Sequence, residues 1–231
     1  MHQTLINFWK FLKKPQIVNI SKDRKSLRRE LGFLLLVNLF FSGIVFSTYL
    51  ILTHFKLIHT YEELYPLEKI GPIETLMLGC IAAPIIEETV FRFPLRKKYL
   101  SIYFVLISIS VIINYFVQNK LLTIPIYFVF LFASFLIHFY LKRLSLTKVH
   151  LLWQKYFGYL FYFSAIFFGC IHISNMKGLT FHDPSFLIYI SSQISGGLTL
   201  GYLRIKYGLP YSMIFHACFN LIYISVELLF G

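Results

Sequence analysis

The sequence predicts an all-α, polytopic membrane protein with about seven transmembrane helices. Hydrophobic residues make up 57% of the 231 positions and charged residues 14%. In soluble domains about 45–50% of the residues are apolar and about 25% are charged. The mean hydropathy of +0.68 agrees with membrane residence. A chain this apolar also has enough hydrophobic surface to build a core, which excludes intrinsic disorder.

Seven apolar stretches are long enough to cross a bilayer core of about 30 Å, which takes about 20 residues of helix. The third and fourth stretches are separated by a tight turn near Gln118, Asn119 and Lys120. No connecting segment is long enough for a separate domain, so residues 32–231 are predicted to form one transmembrane domain. The seven stretches cover 32–53, 71–91, 99–118, 121–141, 156–175, 185–203 and 209–230.

The distribution of basic residues predicts the orientation. Of 22 Lys and Arg residues, seventeen fall in the N-terminal tail or in segments expected on its side of the membrane. Only Lys56, Lys69, Lys120 and Lys177 fall on the other side. Because cytoplasmic segments carry the excess of Lys and Arg, we expect the N-terminus inside and the C-terminus outside. The formal net charge of +12 then reports topology, and no nucleic-acid partner is expected.

Residues 1–31 form a basic cytoplasmic tail ahead of the first predicted span. Polar and basic residues precede any long apolar stretch, so the tail is not expected to be a cleavable signal peptide. Two interpretations stay open: a helix lying on an anionic membrane surface, or a frayed tail. The first is suggested by four apolar residues that share one helical face: Leu5, Phe8, Trp9 and Leu12.

Ionisable residues inside the predicted spans are the strongest functional signal, because a charge in lipid is costly and usually serves a function. The second span contains Glu87, Glu88 and Arg92. Glu88 and Arg92 share a helical face at i, i+4 spacing and can pair, whereas Glu87 is turned away from Arg92. One carboxylate is then structural, and the other is free to react.

Two further motifs lie on other spans. His172 occupies the fifth span, and His216 and Asn220 share a face of the seventh. A glutamate can take a proton from water, a histidine beside it can orient that water or bind a metal, and His216 with Asn220 can donate to an oxyanion. These groups are suited to hydrolysis, and we expect the active site within the helix bundle.

Each motif alone also has a structural explanation. A Glu–Arg pair can brace a helix, a lone histidine such as His138 is more often part of the core, and Asn38 and Asn114 can hydrogen-bond between helices. The joint occurrence on three spans favours a shared site. Glu74 and Glu227 lie towards the outer ends of their helices, where an interfacial position is expected.

Three sequence motifs, EETVFR, FGCIH and HACFN, occur in this order. They resemble the EExxxR, FxxxH and HxxxN motifs of the CPBP (Abi) family of intramembrane proteases, which includes the type II CAAX prenyl endopeptidases. The resemblance covers about residues 76–222. In many members a glycine follows the motif arginine, whereas Phe93 stands here. The approach to the last motif is also similar, through Gly196, Gly197, Gly201, Arg204, Tyr207 and Gly208.

The resemblance implies a role for each motif residue. Glu87 would activate a water molecule with His172 as its partner, and Glu88 and Arg92 would brace that arrangement. The reaction would be hydrolysis of a peptide bond in a membrane-associated protein or peptide. The family has been described as metalloproteases, but a metal-free water activated by glutamate is the competing account.

The other catalytic groups implied by the resemblance are His216 and Asn220, which would form the oxyanion pocket. Two histidines and one carboxylate also suit a catalytic zinc ion with an open position. The ligands of that divalent metal would be Glu87, His172 and His216. Without a metal the same groups can do general-base and oxyanion work, and the residues themselves favour neither alternative.

We therefore expect a multi-pass intramembrane endopeptidase in a lipid bilayer. The small size of the chain suggests a prokaryotic protein, and we expect it in the plasma membrane. A runner-up interpretation is a non-catalytic membrane partner or bacteriocin self-immunity protein that binds a peptide in the same cavity. A proton- or ion-coupled carrier fits less well, because no inverted repeat is visible. The pattern identifies neither the substrate nor the oligomeric state.

Two features test the helix packing. Gly197 and Gly201 form a GxxxG pair in the sixth span, and Ser192 and Gly196 form a second small pair. Such pairs allow close helix contacts. Two interpretations stay open, helix packing and substrate access, and both hold if this helix forms the back wall of the cavity. The predicted boundaries also place Glu87 near the inner end of its helix and His172 near the outer end of the fifth span. For the two to meet, these boundaries must shift, or the helices must bend near Pro84 or Gly169.

Overall fold

The computed structural model describes residues 2–21, 23–62, 64 and 71–230, and within these ranges it contains helices and no β-strand. The all-α prediction is therefore confirmed for this part of the chain. Lys22 and Lys69, which contribute to the charge asymmetry, lie outside the described residues. The helices are α1 (His2–Lys13), α2 (Arg24–His54), α3 (Pro72–Met77), α4 (Ala83–Phe91), α5 (Leu100–Val117), α6 (Lys120–Arg143), α7 (Leu146–Ile171), α8 (Phe186–Lys206) and α9 (Leu209–Phe230).

Two helices, α2 and α7, begin at capping residues that lie ahead of their predicted apolar stretches. Asp23 caps α2 by accepting hydrogen bonds from the backbone N–H groups of Lys25 and Ser26, at 3.0 and 3.1 Å. Ser145 likewise caps α7. Because such caps satisfy N–H groups that have no partner in the helix, α2 and α7 start well before the predicted boundaries at 32 and 156.

The predicted turn between the third and fourth stretches is confirmed. Gln118 ends α5 in the left-handed conformation, with a φ of 50°. Asn119 then caps α6 by accepting from the N–H of Leu121 at 3.0 Å. The two helices consequently form an antiparallel hairpin in which α6 packs chiefly on α5.

Five helices are long and apolar enough to cross a membrane: α2, α5, α6, α9, and α7 together with the turn that follows it to Asn175. The other two predicted spans are helical but are not among these five, so the expected number of seven is not confirmed. One of them, 72–91, is divided into short pieces. The other, α8, is largely enclosed by neighbouring helices, so its sequence does not have to be uniformly apolar.

A π-helical turn at Leu78–Ala82 separates α3 from α4. The N–H of Ala83 bonds to the carbonyl of Leu78, five residues back. The next such bond would run from residue 84 to the carbonyl of Gly79, but residue 84 is Pro84, which has no N–H. Regular α-helical hydrogen bonding is thus interrupted next to Pro84, and one backbone carbonyl has no helical partner.

Helix α8 is the centre of the bundle, and it packs against α7, α2 and α9. A Cβ atom added to Gly197 would lie 3.1 Å from the Cα atom of Ala165 on α7. One added to Gly201 would lie 2.6 Å from the ring of Phe161. The predicted GxxxG contact is therefore confirmed. Gly196 does not take part in it, since a Cβ there would meet nothing within 4 Å.

The N-terminal tail is helical at residues 2–13. Phe8 and Phe11 of α1 each place a ring 5.2 Å from that of Tyr202 on α8. Arg96, beyond α4, donates to the carbonyls of Val18 and Ile205, at 2.9 and 2.6 Å. The tail, the end of α4 and the end of α8 thus meet at one end of the bundle.

The opposite end is closed by contacts between two loops. Lys177 forms an ion pair with Glu62 at 2.9 Å. The hydroxyl of Tyr61 donates to the carboxylate of Asp183, which also accepts from the N–H of Ser185 at 2.8 Å. The bond from Tyr61 is the main reason why the pKa of Asp183 is lowered to about 2, and the same bond raises the pKa of Tyr61.

Candidate active site

The residues of the three motifs come together inside the bundle, where α4, α7 and α9 meet. Glu88 and Arg92 on α4 are both fully buried, and their side chains approach to 3.6 Å between Oε1 and Nη1. The predicted i, i+4 ion pair is present. The same Oε1 atom lies 3.2 Å from Nδ1 of His216 on α9. Glu88 therefore connects the first motif to the third.

Glu87 faces the other side of the same imidazole. Its Oε2 atom lies 3.7 Å from Nε2 of His216. That oxygen is buried and has no hydrogen-bond partner among the described residues, although 28% of the side chain is exposed. Sequence reasoning did not predict that His216 would lie between the two adjacent carboxylates, because it paired Glu87 with His172 alone.

His172 lies just beyond the end of α7, at the start of a 3₁₀ turn that runs to Asn175. Its Nδ1 atom is 2.7 Å from the carbonyl of Phe168, one turn back. Because a carbonyl can only accept, Nδ1 carries the proton and Nε2 keeps a lone pair. The ring of His172 contacts that of Phe168, which also contacts His216, so the end of α7 lies beside α9.

Phe168 is the packing element shared by these groups. Its ring is buried and lies 3.9 Å from the guanidinium carbon of Arg92. It also contacts His172 with 4.6 Å between ring centroids and His216 with 6.0 Å. A cation above an aromatic face is attracted by the ring quadrupole. The phenylalanine of the second motif thus holds the arginine of the first near both histidines.

Asn220 has a partner that sequence reasoning missed. Its Nδ2 atom donates to the carbonyl of Gly79 at 2.7 Å, which is the carbonyl that Pro84 leaves unbonded in the π turn. One amide hydrogen is thereby used to tie α9 to the π turn, and the other stays available. The proline was the only sequence signal for this bond, since a proline removes a helical donor.

A cavity of about 560 Å³ adjoins these residues. His172, His216 and Asn220 line it, whereas Glu88 and Arg92 are buried behind them. Helices α2, α8 and α9 supply most of the wall, and Tyr61 from the loop at the end of the bundle closes one side. The cavity therefore reaches His172, His216 and Asn220, whereas Glu87 is not among the residues that line it.

The expected ligands of a divalent metal are Glu87, His172 and His216. Among the described residues, no group of three or more His, Cys, Asp or Glu side chains is placed so that it could hold a metal ion. The metal-dependent alternative stays a prediction.

The remaining polar residues of the spans take the structural roles considered for them, with one exception. Asn38 links two helices by donating to the hydroxyl of Thr199 at 2.9 Å. His138 packs between the rings of Tyr99 and Tyr103. The amide nitrogen of Asn114, in contrast, bonds within its own helix. The interfacial position of Glu74 and Glu227 stays a prediction.

The fold and the site together define a helical membrane protein with a carboxylate, imidazole and amide cluster beside an internal cavity. The sequence model of one family, type II CAAX prenyl endopeptidase Rce1-like, matches residues 69–222. The chain belongs to this family, which confirms the resemblance seen in the motifs. At that level it is an integral, multi-pass membrane protease. Neither a curated protein nor a solved structure gives a significant match.

Proposed function

We propose that the protein hydrolyses a peptide bond of a membrane-associated protein or peptide with a water molecule activated by Glu87. The observation that carries the proposal is the position of Glu87 Oε2, which is buried, has no partner among the described residues and lies 3.7 Å from His216. Buried polar atoms of this kind are where proteins bind ordered water. Family membership supports proteolysis as the reaction.

In the first step, Glu87 takes a proton from water while the water oxygen attacks the carbonyl carbon of the substrate. His172 accepts a second hydrogen bond from the same water through Nε2, because its Nδ1 proton is committed to the carbonyl of Phe168. The protonated Glu87 then gives its proton to the leaving nitrogen as the C–N bond breaks. The products are a carboxylic acid and an amine.

The oxyanion formed in this step needs hydrogen-bond donors. In our proposal Nε2 of His216 donates to the oxyanion, while Nδ1 faces Glu88. Asn220 supplies the second donor through the amide hydrogen that is not bonded to Gly79. Such donors act strongly because they are fixed before the reaction.

The orientation in the membrane is proposed on the charge pattern. The end of the bundle where α1, Arg96 and Lys206 meet carries the excess of basic residues, and we place it in the cytoplasm of a prokaryotic cell. Trp9 is 58% exposed on α1. With the lysines next to it, this tryptophan suits contact with the anionic headgroup region of the bilayer.

Replacement of the proposed base tests the function. The full chain is reconstituted in lipid vesicles and compared with Glu87→Gln in a cleavage screen of membrane proteins. We expect fragments from the wild type that disappear in the variant, because a carboxamide cannot take the proton. Glu74→Gln is the matched control, since Glu74 lies in the first turn of α3 and outside the cluster.

The outcomes separate the two functional classes. Cleavage by Glu87→Gln at the wild-type rate would show that Glu87 is not the base. If neither protein cleaves any membrane protein and a cellular phenotype survives in Glu87→Gln, the chain acts as a non-catalytic membrane partner or self-immunity protein.

A further inference from the structure

One wall of the cavity carries neutral hydrogen-bonding groups that no part of the proposed reaction uses. Ser192 and Gln193 on α8 and Ser42 on α2 line the cavity. None of their side chains has a hydrogen-bond partner among the described residues. Gly196 lies one turn beyond Ser192 on the same face of α8 and also lines the cavity. We call these four residues the neutral strip.

Gly196 provides space on this wall. A Cβ atom added there would meet nothing within 4 Å, whereas one on the adjacent Gly197 would meet the backbone of Ala165 at 3.1 Å. The two consecutive glycines therefore have different roles. Gly197 permits helix packing, and Gly196 leaves a hollow between Ser192 and Leu200, another residue that lines the cavity.

The chemistry of the lining restricts what can enter. Among the described residues that line the cavity, none is Lys, Arg, Asp or Glu, and many are aromatic. A charged ligand would therefore find no ionic partner except the catalytic histidines. An extended peptide has the opposite requirement. Its backbone N–H and C=O groups are not paired with each other and need neutral partners wherever water and lipid cannot supply them.

We propose that the neutral strip binds the extended backbone of an uncharged substrate segment and holds the scissile bond next to His172 and His216, which line the same cavity. This inference rests on the proposed function. The hydroxyls of Ser42 and Ser192 and the carboxamide of Gln193 pair with substrate N–H and C=O groups, and the hollow at Gly196 admits the chain. Because α2 lies outside the matched region 69–222, part of this selectivity belongs to a helix that the family match does not cover.

Binding can be tested without hydrolysis. The probe is a synthetic peptide of 20 Leu and Ala residues with a Ser-Gly-Ser-Gly centre, lysines at both ends and a photoreactive benzophenone at the centre. It is added to the full-length Glu87→Gln protein in vesicles of phosphatidylcholine and phosphatidylglycerol. We expect cross-links to the segments 42–49 and 192–200. Cross-links confined to α5 and α6 would overturn the proposal.

Substitutions then measure what the strip contributes. Gly196→Val fills the hollow and is expected to reduce cross-linking at least tenfold. Gly32→Val is the matched control, because its new side chain also enters open space, on the exposed side of α2. Equal loss in both variants, or none in Gly196→Val, contradicts the inference.

Kinetics provide a second measurement with the active enzyme and a fluorogenic form of the same peptide. Gln193→Met keeps the size of the side chain but removes its hydrogen bonds. We expect KM to rise about 3- to 10-fold, the effect of one net hydrogen bond, with kcat unchanged. Ser191→Ala is the control, since the Ser191 hydroxyl bonds to the carbonyl of Leu187 and not to the cavity.

The result distinguishes this inference from the proposed function. A peptide that cross-links to the neutral strip but is not cut by the wild type supports the binding site and contradicts the peptidase. A peptide that is cut by the wild type, with the same KM in Gln193→Met and the same cross-linking in Gly196→Val, supports the peptidase and contradicts the strip.

Discussion

Asn220 has two tasks that a pair of substitutions can separate. It is proposed to donate to the oxyanion, and it donates to the carbonyl of Gly79 at 2.7 Å. Asn220→Ala removes both interactions at once. Pro84→Ala, in contrast, adds an N–H group five residues after Gly79, in the register of the π turn. The carbonyl of Gly79 then gains a backbone donor that does not depend on Asn220.

The size of the effect follows from the surroundings of Gly79. An unsatisfied carbonyl away from water costs about 1–3 kcal/mol, and we expect Asn220→Ala to lower the free energy of unfolding by this amount. In the Pro84→Ala background the loss is expected to fall below about 0.5 kcal/mol, because the new N–H takes over the bond. The difference is the coupling free energy of the cycle.

Catalysis responds differently. Loss of one oxyanion donor costs about 10²–10³ in kcat, and Pro84→Ala cannot replace that donor. The double variant Asn220→Ala with Pro84→Ala is therefore expected to regain stability but not turnover. This combination separates the catalytic task from the structural one.

Unfolding is followed by circular dichroism as the SDS fraction of mixed micelles is raised, and kcat is measured in vesicles. Asn114→Ala is the control, since Asn114 also bonds a helical carbonyl, at 3.0 Å, but lies in α5. If Asn220→Ala costs the same free energy with and without Pro84, the π turn does not depend on Asn220, and this reasoning is refuted.

Three other results are expected. Gly197→Ala lowers the free energy of unfolding by about 1–3 kcal/mol, because the new methyl group overpacks against Ala165. Gly32→Ala raises the free energy of unfolding by about 0.5–1 kcal/mol, because alanine is more favourable than glycine inside a helix. Unfolding of both variants in SDS measures the difference. The contact of Asp183 with Tyr61 contributes its full stabilisation above pH 3.8, because the pKa of Asp183 is lowered, and this stabilisation is lost as the pH falls through about 2. Hydrogen exchange of residues 57–62 should accelerate between these pH values and not above them. Treatment with EDTA leaves turnover unchanged if Glu87 acts without a metal, and loss of activity that zinc restores would favour the metal-dependent alternative.

Much of the fold was predictable because the physical signals are local. Apolar stretches of about 20 residues identified every helix between residues 72 and 230, and the i, i+4 spacing predicted the pair of Glu88 and Arg92. Helix starts were less accurate. The caps at Asp23 and Ser145 stand among polar residues, where hydropathy carries no information about a boundary.

The sequence motifs singled out the residues of the cluster, but they did not predict how these residues are arranged. Contacts such as that of Asn220 with Gly79 join positions far apart in the chain, and no spacing rule connects them. The place of His216 between Glu87 and Glu88 depends on how α9 packs against α4. The sequence left open whether Gly196 serves helix packing or substrate access, since a small residue in a membrane helix gives the same pattern when it faces a neighbouring helix and when it faces a cavity.

The α5–α6 hairpin has a consequence for how the protein comes apart. In the most apolar part of α6, only 6% of the residues are buried within the protein, against 50% in α7. Lipid therefore holds α6 in place more than the protein does. Helix α5 is instead tied to the core by Phe104, whose ring contacts those of Phe91 and Phe167. Local opening is therefore expected at α6 first, while α5 stays packed against the core beside the active-site helices.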